Sequence, residues 1–160
     1  EIYTLSLHDA LPIYLLDQDI RLKVLGDFDG LPFVARQSLS HVMAKTARCR
    51  AMTLNLALNY SGREEILRAC RALAAKGGDV DAEGFSAALY TAGQPDPDLI
   101  IRTSGELRLS NFLLFQAAYA ELYFTDTLWP DFDAAELERA LADFQRRQRR
   151  FGKTAEQVSD

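Results

Sequence analysis

Cysteine and long apolar runs are both scarce in this chain, and each shortage excludes a class of protein. The 160 residues include two cysteines, Cys49 and Cys70, which lie far apart and form no Cys-x-x-Cys pair. Neither a zinc site nor a disulfide framework is therefore indicated, and two buried, reduced thiols in a cytosolic protein are expected. No apolar stretch reaches the roughly 20 residues that span a bilayer, so contact with lipid would be peripheral or through a lipid-like substrate.

An excess of positive charge is also missing. Lysine and arginine total 18 against 23 aspartates and glutamates, which gives a net charge of −5. Proteins that bind nucleic acid through a general basic surface release phosphate counterions, so this balance argues against a nucleic-acid partner. The chain also lacks a complete Walker loop and the GxGxxG, GxSxG, HExxH and DDxxD motifs. His41 falls in a helical pattern with no Ser or Cys partner, which argues against hydrolysis by histidine.

What the chain does have is the size and balance of one globular domain, with 48% hydrophobic and 26% charged residues. Apolar runs typical of strands alternate with helical patterns of about 10 to 15 residues. This alternation predicts the α/β class, with a mostly parallel central sheet flanked by helices. Strands are expected at 20–25, 52–60, 98–101 and around 122–124, and helices after Pro32, Ser61, Asp81, Ser110 and Asp133.

The ten residues 102–111, which link two apolar runs, combine two arginines with small residues and a helix-start signal. The preceding run predicts a buried strand, and Ser110 is a favoured N-cap for a following helix. Ligands collect outside the carboxyl ends of parallel strands, and a helix N-terminus attracts anions. Arg102 and Arg108 would add charge-assisted contacts to phosphate oxygens. The loop therefore predicts a phosphate or diphosphate site, and the alternative is that both arginines pair with acids such as Glu106.

Other features toward the carboxyl end carry weaker signals. Glu121 is a carboxylate in an apolar stretch at a predicted helix-to-strand junction, and Mg²⁺ takes one or two such carboxylates from a protein. An edge-exposed glutamate is the alternative. The arginines of 146–150 complement a helix dipole, and Arg150 beside Gly152 could also reach an anion. Four aromatic residues are interpreted as core or subunit interface rather than as a ligand platform: Tyr119, Tyr123, Phe124 and Trp129.

Residues 1–13 do not have the pattern of a folded segment. They contain no basic region of a signal peptide and no clear period, and the string looks like the in-frame translation of a short-read sequencing adapter. On this interpretation they are a non-native segment, and the natural chain begins upstream of Tyr14. We then expect residues 14–154 to be the carboxyl-terminal part of a single domain and 155–160 to be a tail.

Three stretches carry a family resemblance: TLNLALNYSGREEI, PDPDLIIRTSGELRLSNFLLFQAAYAELYFTDTLWPDF and RRQRRFG. From about Leu22 to Thr154 the chain resembles a bacterial cis-prenyltransferase of the undecaprenyl diphosphate synthase type. The resemblance implies that isopentenyl diphosphate is condensed repeatedly, with cis geometry, onto an allylic diphosphate such as farnesyl diphosphate. It further implies a cytoplasmic homodimer that makes a precursor lipid of peptidoglycan, with peripheral contact at the inner face of the membrane through its product.

The resemblance also implies roles for individual residues. Arg102, Arg108 and Ser110, with Leu109 between them, resemble the family's binders of isopentenyl diphosphate, and Glu121 resembles its magnesium ligand. The segment with Arg150 and Gly152 resembles the terminal R-x-G, which reaches the diphosphate site of the partner subunit.

The resemblance is incomplete at the amino-terminal side. The family's D-G-N-G-R-W stretch, which holds its main catalytic aspartate, is absent, as are the other allylic-site residues and the first two strands. No catalytic residue is therefore assigned, and the chain as given is expected to be inactive. Two alternatives remain open: a non-catalytic partner subunit of the same fold, and a generic phosphate-binding α/β domain.

Overall fold

The computed structural model describes residues 11–77 and 80–147. The chain divides into two compact units, residues 1–92 and residues 93–160. Each unit contains one pair of parallel strands and at least one helix, which confirms the predicted α/β class. Within the described ranges the strands form two separate pairs rather than one continuous sheet. No helix in those ranges is long and apolar enough to cross a membrane.

In the first unit, β1 (Ile20–Leu25) and β2 (Met52–Ala57) pair in parallel, with Leu22 opposite Leu54. The helix α1 (Phe33–Thr46) begins directly after Pro32, because proline fixes the backbone for entry into a helix but cannot donate within one. Leu22, Leu15 and Val42 form the buried cluster where α1 packs against the strands. Residues 11–17 are helical and supply Leu15 to this core.

The Thr46 hydroxyl group at the end of α1 links this helix to β1 through a hydrogen bond. The buried Thr46 Oγ1 accepts a hydrogen bond from the Leu22 N–H at 3.1 Å and donates to the Val42 carbonyl at 2.9 Å. Beside this core lies a cavity of about 680 Å³, lined mainly by apolar side chains such as Leu39 and Leu56.

Two further helices complete the first unit. The helix α2 (Gly62–Lys76) begins behind Ser61, whose hydroxyl accepts from the Glu64 N–H at 3.3 Å, and it ends at Gly77, which has a φ of +67°. The short helix α3 (Ala82–Ala87) is capped by Asp81, which accepts from the Gly84 N–H at 2.7 Å. Both caps are of the kind predicted from the sequence.

In the second unit, β3 (Leu99–Arg102) and β4 (Glu121–Phe124) pair in parallel, so that Arg102 lies opposite Phe124. One 3₁₀ turn (Gln116–Tyr119) precedes β4 and another (Trp129–Asp131) follows it. The helix α4 (Ala134–Arg146) packs against β4 and begins behind Asp133. Arg150 and Gly152, predicted to bind substrate, lie outside the described residues.

The predicted helix behind Ser110 is wrong. Residues 110–115 form turns, and the 3₁₀ turn Gln116–Tyr119 stands in place of the helix. Ser110, Asn111 and Leu113 have φ angles of +50°, +65° and +46°, and left-handed residues cannot propagate a right-handed helix. Ser110 is therefore not a helix N-cap.

The prediction that both cysteines are buried is wrong for Cys70, which lies exposed on α2, whereas Cys49 is buried. The buried residues of this helix are Gly62, Glu65 and Ala69, whereas Cys70 is exposed. Glu65 faces inward because its carboxylate accepts from the Tyr60 hydroxyl at 2.5 Å and from the Tyr90 N–H at 2.7 Å. These two hydrogen bonds compensate for the burial of the polar carboxyl group.

Candidate functional site

The two arginines of the predicted phosphate loop line the same cavity. This cavity has a volume of about 310 Å³ and lies beyond the carboxyl end of β3. Its polar wall consists of Arg102, Thr103 and Arg108. Arg102 is the last residue of β3, and residues just past the carboxyl end of a parallel strand are well placed to contact ligands. Arg102 and Arg108 thus line one cavity, and the prediction that they bind a phosphate or diphosphate stays a prediction.

Arg102 has an unfilled hydrogen-bonding position. Its Nε is buried, and no partner accepts a hydrogen bond from that atom. A buried guanidinium N–H without an acceptor is costly, and native proteins rarely leave such a donor unsatisfied. The Nε atoms of Arg21, Arg36 and Arg68 are also buried without a partner, so this atom does not by itself mark a site. With Arg108 in the same cavity beyond β3, it offers a donor to an acceptor such as a diphosphate oxygen.

Arg108 forms the ion pair that the alternative interpretation predicted. Its guanidinium contacts Glu106, with side chains that are 65% and 37% exposed, respectively. Exposed ion pairs contribute only about 0–1 kcal/mol, so a diphosphate can compete with Glu106 for this arginine. The ion pair therefore keeps Arg108 near the cavity and leaves its guanidinium able to bind a ligand.

The loop that carries the arginines is tied to the loop after β4. The Ser104 N–H donates to the Thr127 carbonyl and the Gly105 N–H to the Thr125 carbonyl, both at 2.9 Å. Ser104 and Gly105 have φ angles of +70° and +68°, which allow the chain to turn there. The two loops past the carboxyl ends of β3 and β4 are thus joined into one rim.

Aromatic side chains from beyond β4 help to complete the cavity, because the hydrogen bonds of this rim bring the loop after β4 against the arginine loop. The apolar wall is formed by six side chains: Ile100, Ile101, Leu109, Phe112, Trp129 and Phe132. The Trp129 and Phe132 rings stack with centroids 6.2 Å apart and planes 9° apart. Trp129 is 72% exposed and Tyr119 is 66% exposed, so neither residue belongs to the core, and their interpretation as a subunit interface stays a prediction. No local pattern assigned Trp129 to this site, because its place there depends on the parallel pairing of β3 with β4.

Two further residues of this loop were predicted to bind substrate, and the structure places only one of them at the cavity. Leu109 lines the cavity, and its role in substrate binding stays a prediction. Ser110 is exposed and is not one of the residues that line it. The left-handed turn that begins at Ser110 directs the chain away from the regular helix that would have aimed its N–H groups at an anion.

Glu121 lies at the other end of the same strand pair. It is the first residue of β4 and pairs with Leu99, three positions before Arg102. At about 3.3 Å per residue this places the two backbones about 10 Å apart along the strands. The Arg147 guanidinium donates to the Glu121 carboxylate at 2.9 Å. This hydrogen bond, followed by those that Arg147 donates to Asp143, raises the pKa of Arg147.

The described residues do not by themselves fit a magnesium ion. In residues 11–77 and 80–147 no three His, Cys, Asp or Glu side chains are close enough to hold a metal. The candidate ligand Glu121 is already engaged by Arg147, which also contacts Asp143 at 2.6 Å. Ligation of magnesium by Glu121 therefore stays a prediction.

The fold and the cavity together define an α/β protein with paired cationic side chains outside a parallel strand pair. Comparison with known proteins refines this class. The family model described as undecaprenyl diphosphate synthase matches residues 5–152, a span that begins within the segment interpreted as non-native. The chain therefore belongs to this prenyltransferase family.

Curated relatives agree with this assignment. The isoprenyl transferase of Chlorobaculum tepidum is 49% identical over 91% of the chain and 58% of its own length. The isoprenyl transferase of Porphyromonas gingivalis is 50% identical over 91% of the chain and 60% of its own length. The chain thus spans about three fifths of the length of these relatives.

Solved structures show the same fold. A probable undecaprenyl diphosphate synthase from Campylobacter jejuni has a TM-score of 0.82 and 35% identity, over 91% of this chain and 69% of that one. The lavandulyl diphosphate synthase from Lavandula x intermedia, solved in complex with dimethylallyl diphosphate, has a TM-score of 0.88 and 37% identity. It covers 95% of this chain, and 69% of its own chain is matched.

Proposed function

We propose that the cavity between Arg102 and Arg108 binds the diphosphate group of isopentenyl diphosphate, and that the protein serves cis-prenyl chain elongation. The observation that carries this proposal is the buried Nε of Arg102, which lacks an acceptor in a cavity shared with a second arginine. The family assignment supports the choice of a prenyl diphosphate over other phosphate compounds.

In the proposed reaction the C–O bond of an allylic diphosphate breaks and the diphosphate leaves with the electron pair. The double bond of isopentenyl diphosphate attacks the allylic carbon, a carbon–carbon bond forms, and a proton is lost. The described residues would bind isopentenyl diphosphate, which is the nucleophile. Arg102 and Arg108 would hold its diphosphate and so position its double bond. Such positioning removes part of the entropic barrier to a reaction between two substrates.

Calorimetric titration of the chain with isopentenyl diphosphate tests the proposal. We expect Arg102→Ala to weaken binding about tenfold or more, because a hydrogen bond to a charged group contributes about 1.5–3 kcal/mol. Arg108→Ala should weaken it less, since removing Arg108 also ends its contact with Glu106. The matched control is Arg139→Ala, an exposed arginine on α4 that contacts Glu136 and does not line the cavity. Equal affinity of Arg102→Ala and the unaltered chain would refute the assignment.

We extend the proposal to magnesium, the homodimer and the location in the cell. Glu121 would have to exchange Arg147 for the metal, so binding of isopentenyl diphosphate should be compared with and without Mg²⁺ in the Glu121→Gln variant. The protein would be a homodimer in the cytoplasm, with contact to the membrane through a polyprenyl product. Arg150 and Gly152, which would reach the diphosphate site of the partner subunit, lie outside the described residues.

A further inference from the structure

The cavity with the two arginines has far more apolar wall than a diphosphate requires. Three of its lining residues are polar or charged, whereas six are aliphatic or aromatic. A free inorganic anion would use only the polar wall. The apolar wall is therefore the part of the site that binding of a diphosphate leaves unexplained.

Trp129 is the most accessible part of that wall. The residue is 72% exposed, although large aromatic side chains are usually well buried. Its ring stacks against Phe132, and the Phe132 N–H donates to the Trp129 carbonyl at 3.2 Å. The ring is thus held in place from one side, and apolar surface remains available to a ligand.

The position of Trp129 follows from the backbone and not from chance contact. The bonds from Ser104 and Gly105 to the loop after β4 bring residues 125–127 against the arginine loop. The 3₁₀ turn that carries Trp129 begins two residues further along the chain. Trp129 and Arg102 therefore belong to one rigidly joined rim, which would place a ring beside the carbon chain of any ligand whose diphosphate lies on the arginine.

The volume of the cavity limits the length of that carbon chain. Pockets for small ligands measure about 300–1,000 Å³, and this cavity of about 310 Å³ lies at the lower end of that range. A five-carbon chain with its diphosphate suits such a space.

We propose that Trp129, backed by Phe132, is a specificity-determining wall that binds the carbon chain of a short prenyl diphosphate. This inference rests on the proposed function, because it requires the diphosphate to lie on Arg102 and Arg108. Trp129 selects a prenyl diphosphate over inorganic diphosphate, and burial of apolar surface against its ring supplies the preference.

The test compares two ligands on the unaltered chain and on variants of Trp129, by calorimetric titration with isopentenyl diphosphate and with inorganic diphosphate. Trp129→Ala is expected to weaken binding of isopentenyl diphosphate about tenfold and to leave inorganic diphosphate within about twofold. Trp129→Phe keeps an aromatic wall and should retain most of the affinity. The matched control is Tyr119→Ala, which removes an aromatic residue that is 66% exposed and does not line the cavity.

The outcomes separate this inference from the proposed function. If the unaltered chain binds neither ligand, the diphosphate site itself is wrong and the inference falls with it. If the unaltered chain binds both ligands equally well, or Trp129→Ala weakens both equally, the diphosphate site stands and the role of Trp129 is refuted. If Trp129→Ala fails to fold, Phe132→Leu decides, because it removes the ring that stacks against Trp129. An affinity of Phe132→Leu for isopentenyl diphosphate equal to that of the unaltered chain would then refute the role of the aromatic wall.

Discussion

Arg102 shows how one residue can be predicted correctly while its surroundings are not. Its position after an apolar, β-branched run indicated a strand end, and the structure places it as the last residue of β3. The sequence could not show that its Nε would be buried without a partner, because that depends on how the loops after β3 and β4 contact each other. The same limit applies to Trp129, whose exposure follows from hydrogen bonds between loops distant in sequence.

Glu121 and Arg147 form a contact whose second member could not be identified from the sequence. The sequence indicated that the Glu121 carboxylate needs a partner in its apolar stretch, and the structure supplies the Arg147 guanidinium at 2.9 Å. Arg147 was interpreted only as a cation that complements a helix dipole. Its contacts with Glu121 and Asp143 depend on the packing of α4 against β4, which no local pattern shows.

The two cysteines should differ in reactivity, although both were predicted to be buried. Cys49 is buried and Cys70 is exposed. Burial, followed by the nearby Asp19 carboxylate, raises the pKa of the Cys49 thiol, so less of the reactive thiolate is present at a given pH. Titration with a chromogenic disulfide at pH 8 should show a fast phase from Cys70 and a slow phase from Cys49.

The pH dependence and two variants check the assignment of these phases. The slow rate should still rise at pH values above the usual pKa of a thiol, because the pKa of Cys49 is raised. Cys70→Ser should remove the fast phase, and Cys49→Ser should remove the slow one. A single phase that accounts for both thiols would contradict the difference in burial.

At the scale of secondary structure, the elements with clear end signals were the most predictable. The strand expected at 20–25 has those bounds, and the helices after Pro32, Ser61, Asp81 and Asp133 all form. The strand expected at 52–60 ends at Ala57, because Asn59 has a φ of +48° and turns the chain. The helix behind Ser110 failed because an N-cap residue is only a local signal, and three left-handed residues override it.

The cap of α4 offers a direct test at this scale. Asp133 Oδ1 accepts from the Glu136 N–H at 3.0 Å. Asp133→Ala should lower the free energy of unfolding by about 1 kcal/mol, because the first turn loses its acceptor. Asp133→Asn keeps a capping oxygen and should lose less. The measurement is urea denaturation followed by circular dichroism.

A neighbouring aspartate provides the control for that experiment. Asp131→Ala removes an exposed carboxylate in the preceding 3₁₀ turn and should change stability by no more than about 0.5 kcal/mol. If Asp133→Ala and Asp131→Ala had equal effects, the loss would come from charge near the helix and not from the cap.

At the scale of the whole molecule, the alternation of strands and helices was sufficient to predict the α/β class. It did not predict that the described strands would form two separate parallel pairs, one in each compact unit. Apolar runs indicate that strands are buried, but they do not specify which strands pair. The prediction of a single domain over residues 14–154, and of a non-native segment before it, stays a prediction.

The site shows the same division between local and long-range information. The two arginines could be assigned to one site because they lie in one loop, six residues apart in sequence. The aromatic wall could not, since it lies beyond β4 and reaches the arginines only through parallel pairing of β3 and β4. Family membership joins these observations into the proposed binding of isopentenyl diphosphate.

The central claim is that Arg102 presents an unfilled N–H to a prenyl diphosphate, and the Nε–Hε resonance of Arg102 reports on it directly. The resonance can be assigned by its loss in Arg102→Lys and followed by nitrogen–proton correlation spectroscopy during titration with isopentenyl diphosphate. The account predicts a saturable shift of this resonance, with a smaller change at Arg139, which lies outside the cavity. A titration that saturates at other residues while the Arg102 resonance stays unchanged would contradict it.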